Sequence, residues 1–110
     1  MENTENFDFI DSVKCSMPPE EDVYSLADFF KTMGDSTRLK IILALLGREL
    51  RVTDIARVVD MSTSAVSHQL KTLRLSKLIR ARKDGRTVLY SLDDDHIRDI
   101  LAKSLEHVQE

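Results

Sequence analysis

The sequence predicts a mainly α-helical domain of α+β class, with one two-stranded β-hairpin near its C-terminal end. Three observations carry this. Apolar residues recur at helical spacing in separate stretches from about residue 22 to the C-terminus. Gly34 and Gly47 punctuate those stretches as helix terminators do. The dipeptide Asp84-Gly85 then stands between two runs of β-forming residues, which is a hairpin signal. A chain of 110 residues suffices for one modest core. No apolar run approaches the roughly 18–20 residues of a membrane span, and the acidic first 25 residues lack the apolar region of a signal peptide. We therefore expect no membrane contact and a cytoplasmic location. Cys15, the only cysteine, rules out an internal disulfide framework.

Residues 1–21 show no clear periodicity and contain Pro18-Pro19, which cannot continue a helix. They read as a flexible N-terminal arm ahead of a domain spanning 22–110. A first helix is expected from near Glu20, carrying Leu26, Phe29, Phe30 and Met33 inward until Gly34 breaks it. Asp35 or Ser36 can cap the next helix, whose apolar set is Leu39, Ile42, Leu43, Leu45 and Leu46. Two short helices should follow. Thr53 is placed to cap Asp54 to Val59, Asp60-Met61 makes a turn, and Ser62 or Thr63 caps a helix running to about Leu75. This is the layout of a helix-turn-helix. Strands are expected over Leu78 to Lys83 and Thr87 to Leu92, and a last helix from about Asp93 to Gln109.

Charge is strongly segregated along the chain. The overall value is −3. Residues 1–24 carry seven acidic side chains and one basic, and residues 93–110 carry six acidic and two basic. Between them, residues 71–86 hold Lys71, Arg74, Lys77, Arg80, Arg82, Lys83 and Arg86 against Asp84 alone. Phosphate contacts depend on the local patch, so this region points to nucleic acid despite the acidic whole. Within the second helix of the helix-turn-helix, Val66, Leu70 and Leu73 form a stripe for burial. The remaining face offers Thr63, Ser64, Ser67, His68, Lys71 and Arg74, whose hydroxyls, imidazole and cations suit base edges and phosphates. The hairpin tip adds Arg82, Lys83 and Arg86, as a wing reaching an adjacent groove or backbone would.

The last helix carries a second chemistry. Asp94, His96, His107 and Glu110 are metal-capable. Eleven residues separate the histidines, which places them within roughly 20° of each other around a helix but about 16 Å apart along it. Ligands of one ion each stand about 2 Å from it, so the two ends cannot share an ion. An antiparallel second copy would bring Asp94 and His96 of one chain beside His107 and Glu110 of the other. This predicts a homodimer with two intersubunit sites. Two imidazoles and two carboxylates suit Zn(II); Co(II) should also bind, Ni(II) ranks third, and soft ions lack a thiolate. Ile97, Leu101, Leu105 and Val108 form an apolar stripe that we expect to be dimer interface.

The segment from Val52 to Ile97 resembles the ArsR/SmtB family of winged-helix, metal-sensing repressors. STSAVSHQLKTL, RKDGRTVLYSL and the acid-x-His start of the last helix carry the likeness, which extends from about Tyr24 to the C-terminus. The resemblance implies a homodimer that binds double-stranded operator DNA when metal-free and leaves it when an inducer metal binds. One subgroup of that family uses a Cys-x-Cys pair at positions that correspond here to Arg51 and Thr53, so that site lacks its core in this chain. Another uses the last helix, in a pattern that Asp94, His96, His107 and Glu110 match at all four positions. The same fold answering another metal, or a redox or small-molecule inducer, is the main alternative. A metal-blind architectural DNA-binding protein is a further one. A zinc hydrolase is disfavoured by the absence of an HExxH pattern and of a general base beyond the ligand set, and we expect no enzyme activity.

Overall fold

The computed structural model describes the backbone of residues 3–110 and the side-chain surroundings of residues 8–110. The chain divides into two compact units, Met1–Phe30 and Lys31–Glu110. Among the described residues, six helices and one hairpin follow in order: α1 (Asn3–Ser16), α2 (Glu20–Met33), α3 (Ser36–Ala44), α4 (Val52–Val59), α5 (Thr63–Leu75), β1 (Ile79–Asp84), β2 (Thr87–Leu92) and α6 (Asp95–Gln109).

The first unit departs most from the sequence expectation. Most of the segment read as an arm without regular structure is the helix α1, stopped just ahead of Pro18-Pro19. Phe9, Val13 and Met17 stand four residues apart, a helical spacing overlooked in a stretch of mixed polarity. Phe9, Ile10, Val13 and Met17 are all exposed. On α2 only part of the expected inward set turns inward. Met33 is buried and Phe29 half-buried, whereas Leu26 and Phe30 are exposed. The Phe29 and Phe30 rings meet edge to face, with centroids 5.5 Å apart.

The second unit holds the core. Ile41, Ile42 and Leu45 from the α3 region, Ile55 from α4, Val66, Leu70 and Leu73 from α5, and Leu78 just before β1 are fully buried. Asp35 caps α3, its side chain accepting from the Arg38 N–H at 3.0 Å. Gly47, at φ +77°, turns the chain out of the region that follows. Here α4 begins earlier than Thr53 would set it. Arg51 is the N-cap residue without a side-chain cap bond, and its guanidinium instead holds the first-turn Asp54 carboxylate at 3.2 Å. Asp60 leaves α4 in the left-handed conformation at φ 57°. Ser62 then caps α5, accepting from the Ala65 N–H at 3.1 Å.

Leu78 and Ile79 are buried, so the chain enters the hairpin directly from the core. β1 and β2 pair antiparallel with Ile79 opposite Leu92 and Asp84 opposite Thr87. The loop is therefore Gly85-Arg86, shifted by one residue from the expected Asp84-Gly85. Gly85 takes φ +65° in its first position, as a type II′ turn requires. Leu50 forms a short third pairing with Tyr90, through hydrogen bonds of 3.0 and 2.8 Å. A backbone bond from Asp93 N–H to the Leu78 carbonyl at 3.0 Å ties the end of β2 back to the start of the hairpin. Among the described residues no helix is long and apolar enough to cross a membrane.

Core burial and capping give a graded expectation. Leu70→Ala, at a site 1% exposed, should cost about 2–5 kcal/mol, and Ser62→Ala about 1 kcal/mol. Leu75→Ala, at a site 77% exposed, should stay within about 0.5 kcal/mol. Urea unfolding of the three variants checks the order.

Candidate nucleic-acid interface and metal centre

Burying Val66, Leu70 and Leu73 fixes the rotation of α5 about its axis. Thr63, Ser64, Ser67, His68, Lys71 and Arg74 are consequently all exposed. Ser67, Lys71, Arg74 and Leu75 line a crevice of about 550 Å³ whose other wall includes Tyr90 of β2. The sequence reading passed over Tyr90. Strand alternation was the available signal, because it puts Tyr90 on the same hairpin face as the buried Leu92. A crevice with a hydroxyl on each wall and two cations along one side matches a sugar-phosphate strand.

The hairpin distributes its cations unequally. Lys83 and Arg86 are exposed, and among the described residues neither has a carboxylate within 4.0 Å. Arg82 is engaged. Its Nε and Nη2 donate to the two carboxylate oxygens of Glu49 at 2.7 and 2.9 Å. This pairing holds the Glu49 carboxyl below, and the Arg82 guanidinium above, their ordinary pKa values. Glu49 is 33 residues away in sequence, and no local pattern could have announced it.

At α6 the structure moves Asp94 out of the helix and makes it the N-cap. One carboxylate oxygen, Oδ1, accepts from the Ile97 N–H at 3.0 Å. The other, Oδ2, lies 3.7 Å from Nδ1 of His96, whose side chain is 91% exposed. Two donors bound to one ion at about 2 Å each stand roughly 3–3.5 Å apart, so this pair needs little adjustment to share one. The accepted hydrogen bond from Ile97, followed by the influence of His96, holds the Asp94 carboxyl below the usual range. His107 and Glu110 are exposed at the opposite end, where Glu110 N–H meets the His107 carbonyl at 3.4 Å. Among the described residues no three His, Cys, Asp or Glu side chains of one chain gather into a metal-binding group. Each end of α6 thus offers two donors, which fits a metal only if a second chain supplies the rest.

The stripe expected to be dimer interface divides in two. Ile97 and Leu101 are buried in the core of this chain, because α6 packs beside β2. Leu105 and Val108 remain 37% and 73% exposed. They border an apolar groove with Leu39, Leu43, Leu101 and Ser104.

Comparison with known proteins agrees with this architecture. Residues 35–81 match the family model described as "Bacterial regulatory protein, arsR family". That span covers the helix-turn-helix and stops before the hairpin tip and α6. The chain is 42% identical over 85 residues to the transcriptional repressor SmtB homolog of Synechocystis sp., covering 77% of this chain and 64% of that protein. It therefore spans just under two thirds of that relative's length. It is 40% identical over 87 residues to the cadmium resistance transcriptional regulatory protein CadC homolog of Staphylococcus aureus, covering 77% and 71%. A homodimeric winged helix-turn-helix DNA-binding domain from Mycobacterium bovis superposes with a TM-score of 0.76 at 23% identity, over 83% of this chain and 84% of that one. The fold is thus a winged helix-turn-helix, as the sequence led us to expect. The curated relatives are named as transcriptional regulators, not as enzymes.

The two jobs of Asp94 can be separated by substitution. Asp94→Asn keeps a side-chain acceptor for Ile97 but loses the charge, so at neutral pH it should melt between the wild type and Asp94→Ala. Because its carboxyl is more acidic folded than unfolded, the carboxylate's contribution is present above the unfolded pKa of about 3.9. It is lost as pH falls through the folded value. The gap between wild type and Asp94→Ala in thermal melts should therefore shrink between ~pH 6 and ~pH 3. A gap that stays constant over that range would refute the charged cap.

Proposed function

The chain belongs to the arsR family of bacterial regulatory proteins, and from that premise we propose that it is a metal-responsive transcriptional repressor. It binds operator DNA as a metal-free homodimer and is released when Zn(II) occupies intersubunit sites on the C-terminal helices. One observation carries the metal reading. Asp94 uses one oxygen to cap α6 and turns the other toward His96, while His107 and Glu110 stand at the far end of the same helix. Two half-sites, with no whole one among the described residues, ask for a second copy. The exposed apolar side chains of α1, α2 and the end of α6 support dimerisation, since they are costly to leave in water.

Within the proposed domain of residues 22–110, α5 reads DNA through Thr63, Ser64, Ser67, His68, Lys71 and Arg74, and the wing contributes Lys83 and Arg86. Tyr90 adds a hydroxyl from the far wall of the crevice. A two-fold dimer presents two such readers, which suits a pseudo-palindromic operator. When bound, the metal supplies a divalent cross-link between helices of different chains. Asp94 and His96 would hold it from one chain, and His107 and Glu110 from the other. Asp94 follows the end of β2 at Leu92 by two residues, so a restraint on its carboxylate acts directly on the base of the wing. Cytoplasmic action on DNA accords with this reading.

The name of the CadC homologue ties that protein to cadmium resistance. Here the donors are nitrogen and oxygen, and Cys15 is the one thiol. We therefore rank Zn(II) first, then Co(II), then Ni(II).

Fluorescence anisotropy on an operator fragment, with and without Zn(II), tests the proposal. Zn(II) should weaken the wild-type complex at least about tenfold, within the range of allosteric couplings. A His96→Ala, His107→Ala double variant should bind DNA and ignore the metal. Equal release of both proteins, or of neither, would move the sensor away from α6.

A further inference from the structure

Arg82 stands in a basic wing, yet its guanidinium is turned to protein. The Leu50–Tyr90 pairing makes the α3–α4 connection a short third strand beside β2. In that register Glu49 lies opposite Ser91, which pairs with Arg80, while Arg82 pairs with Leu89. Alternation along the strands then puts Glu49, Arg80 and Arg82 on one face of the hairpin. Tyr90 and Val88 occupy the other face, the one that Tyr90 presents to α5 across the crevice. Backbone pairing thus carries the Glu49 carboxylate to Arg82, and the two meet as a side-on fork at 2.7 and 2.9 Å.

We propose that Glu49 is a specificity-determining residue of the DNA interface, which holds Arg82 as a neutral pair and withholds that cation from DNA phosphates. Each phosphate neutralised by a cation releases condensed counterion and contributes about 0.9 to the salt slope of binding. A guanidinium already matched by a carboxylate adds nothing to that count. At its tip the wing then grips the backbone through Lys83 and Arg86. Sequence-independent affinity is kept low, and a larger share of operator affinity falls to the base-reading face of α5. Specificity is a difference of affinities, so trimming the non-specific part raises it. The inference rests on DNA binding but not on the identity of the metal or the location of its site.

The test measures binding of metal-free protein, held in chelator, to a random-sequence DNA duplex across a salt series. Wild type, Glu49→Gln and the double variant Glu49→Gln, Arg82→Gln are compared. Glu49→Gln should bind non-specific duplex more tightly, with a slope steeper by about 0.9 for each wing in contact. The double variant should return to the wild-type slope. An unchanged slope for Glu49→Gln would show that freeing Arg82 gains no phosphate contact, and a double variant shallower than the wild type that Arg82 already makes one; either would overturn the proposal. A second readout needs no DNA. The Arg82 Nε–H proton should exchange slowly in the wild type and lose that protection in Glu49→Gln. An unprotected proton in the wild type would also overturn the clamp. If no variant bound DNA while that protection was present, the DNA reading would be the part that failed.

Discussion

An α-helix of thirteen residues can bury only one stripe, and α5 spends its stripe on Val66, Leu70 and Leu73. That constraint fixes the rest of the molecule. With those three side chains set among α3, α4 and β1, the rotation of the helix is no longer free. Its hydroxyls, imidazole and cations are then committed to the outside. Leu78 and Ile79, buried immediately after the helix, continue the same core and start the wing from it. The relative placement of reading helix and wing therefore follows from apolar packing. The DNA-facing side chains contribute little to it, so they can differ without disturbing the fold.

The wing is a two-stranded ribbon, and an isolated ribbon is marginal in water. Three connections anchor this one to the helical body: the Leu50–Tyr90 backbone pair, the Asp93 to Leu78 bond and the Glu49–Arg82 fork. The first is made by β2, whose far end runs within two residues into the Asp94 cap. The residues offered to metal and those offered to DNA are thus linked through one short, well-bonded strand. A ligand shifts an equilibrium only by binding its two states unequally. On the proposed reading a metal would meet that condition through Asp94, whose carboxylate serves the helix and faces His96 at once.

Much of this was legible in the sequence because it depends on local rules. Periodicity gave α3 and α5, the side chains of Asp35 and Ser62 marked two helix starts, and Gly85 marked the hairpin. The misreadings have physical causes. A segment of mixed polarity concealed the four-residue spacing in α1. Arg51 took over the start of α4 through a pairing that no capping rule anticipates. Ile97 and Leu101 read as interface because a helical stripe looks alike whether its own chain or another covers it. The four residues proposed to hold metal were singled out by spacing along one helix, whereas the division of labour between the two oxygens of Asp94 is visible only in three dimensions. Glu49 was out of reach, since it matters through the pairing of distant strands, whereas alternation with the buried Leu92 could have singled out Tyr90.

Charge supplies the last constraint on how such a regulator can work. The chain is acidic overall, at −3, yet residues 71–86, from the end of α5 to the wing tip, hold seven bases against one acid. Attraction to DNA is thus a property of one surface, screened from distant carboxylates beyond roughly 8–10 Å at physiological salt. Filling a site made of Asp94, Glu110 and two imidazoles would add positive charge to an acidic stretch of the chain. Taken as electrostatics alone, that addition would favour DNA binding. On the proposed reading, release by metal would come from geometry, by changing where the two reading helices stand, and would overcome an electrostatic change of the opposite sign. A mechanism of that kind needs a stiff path from the metal ligands to the wing, and the connection from Asp94 through the buried Leu92 into β2 provides one.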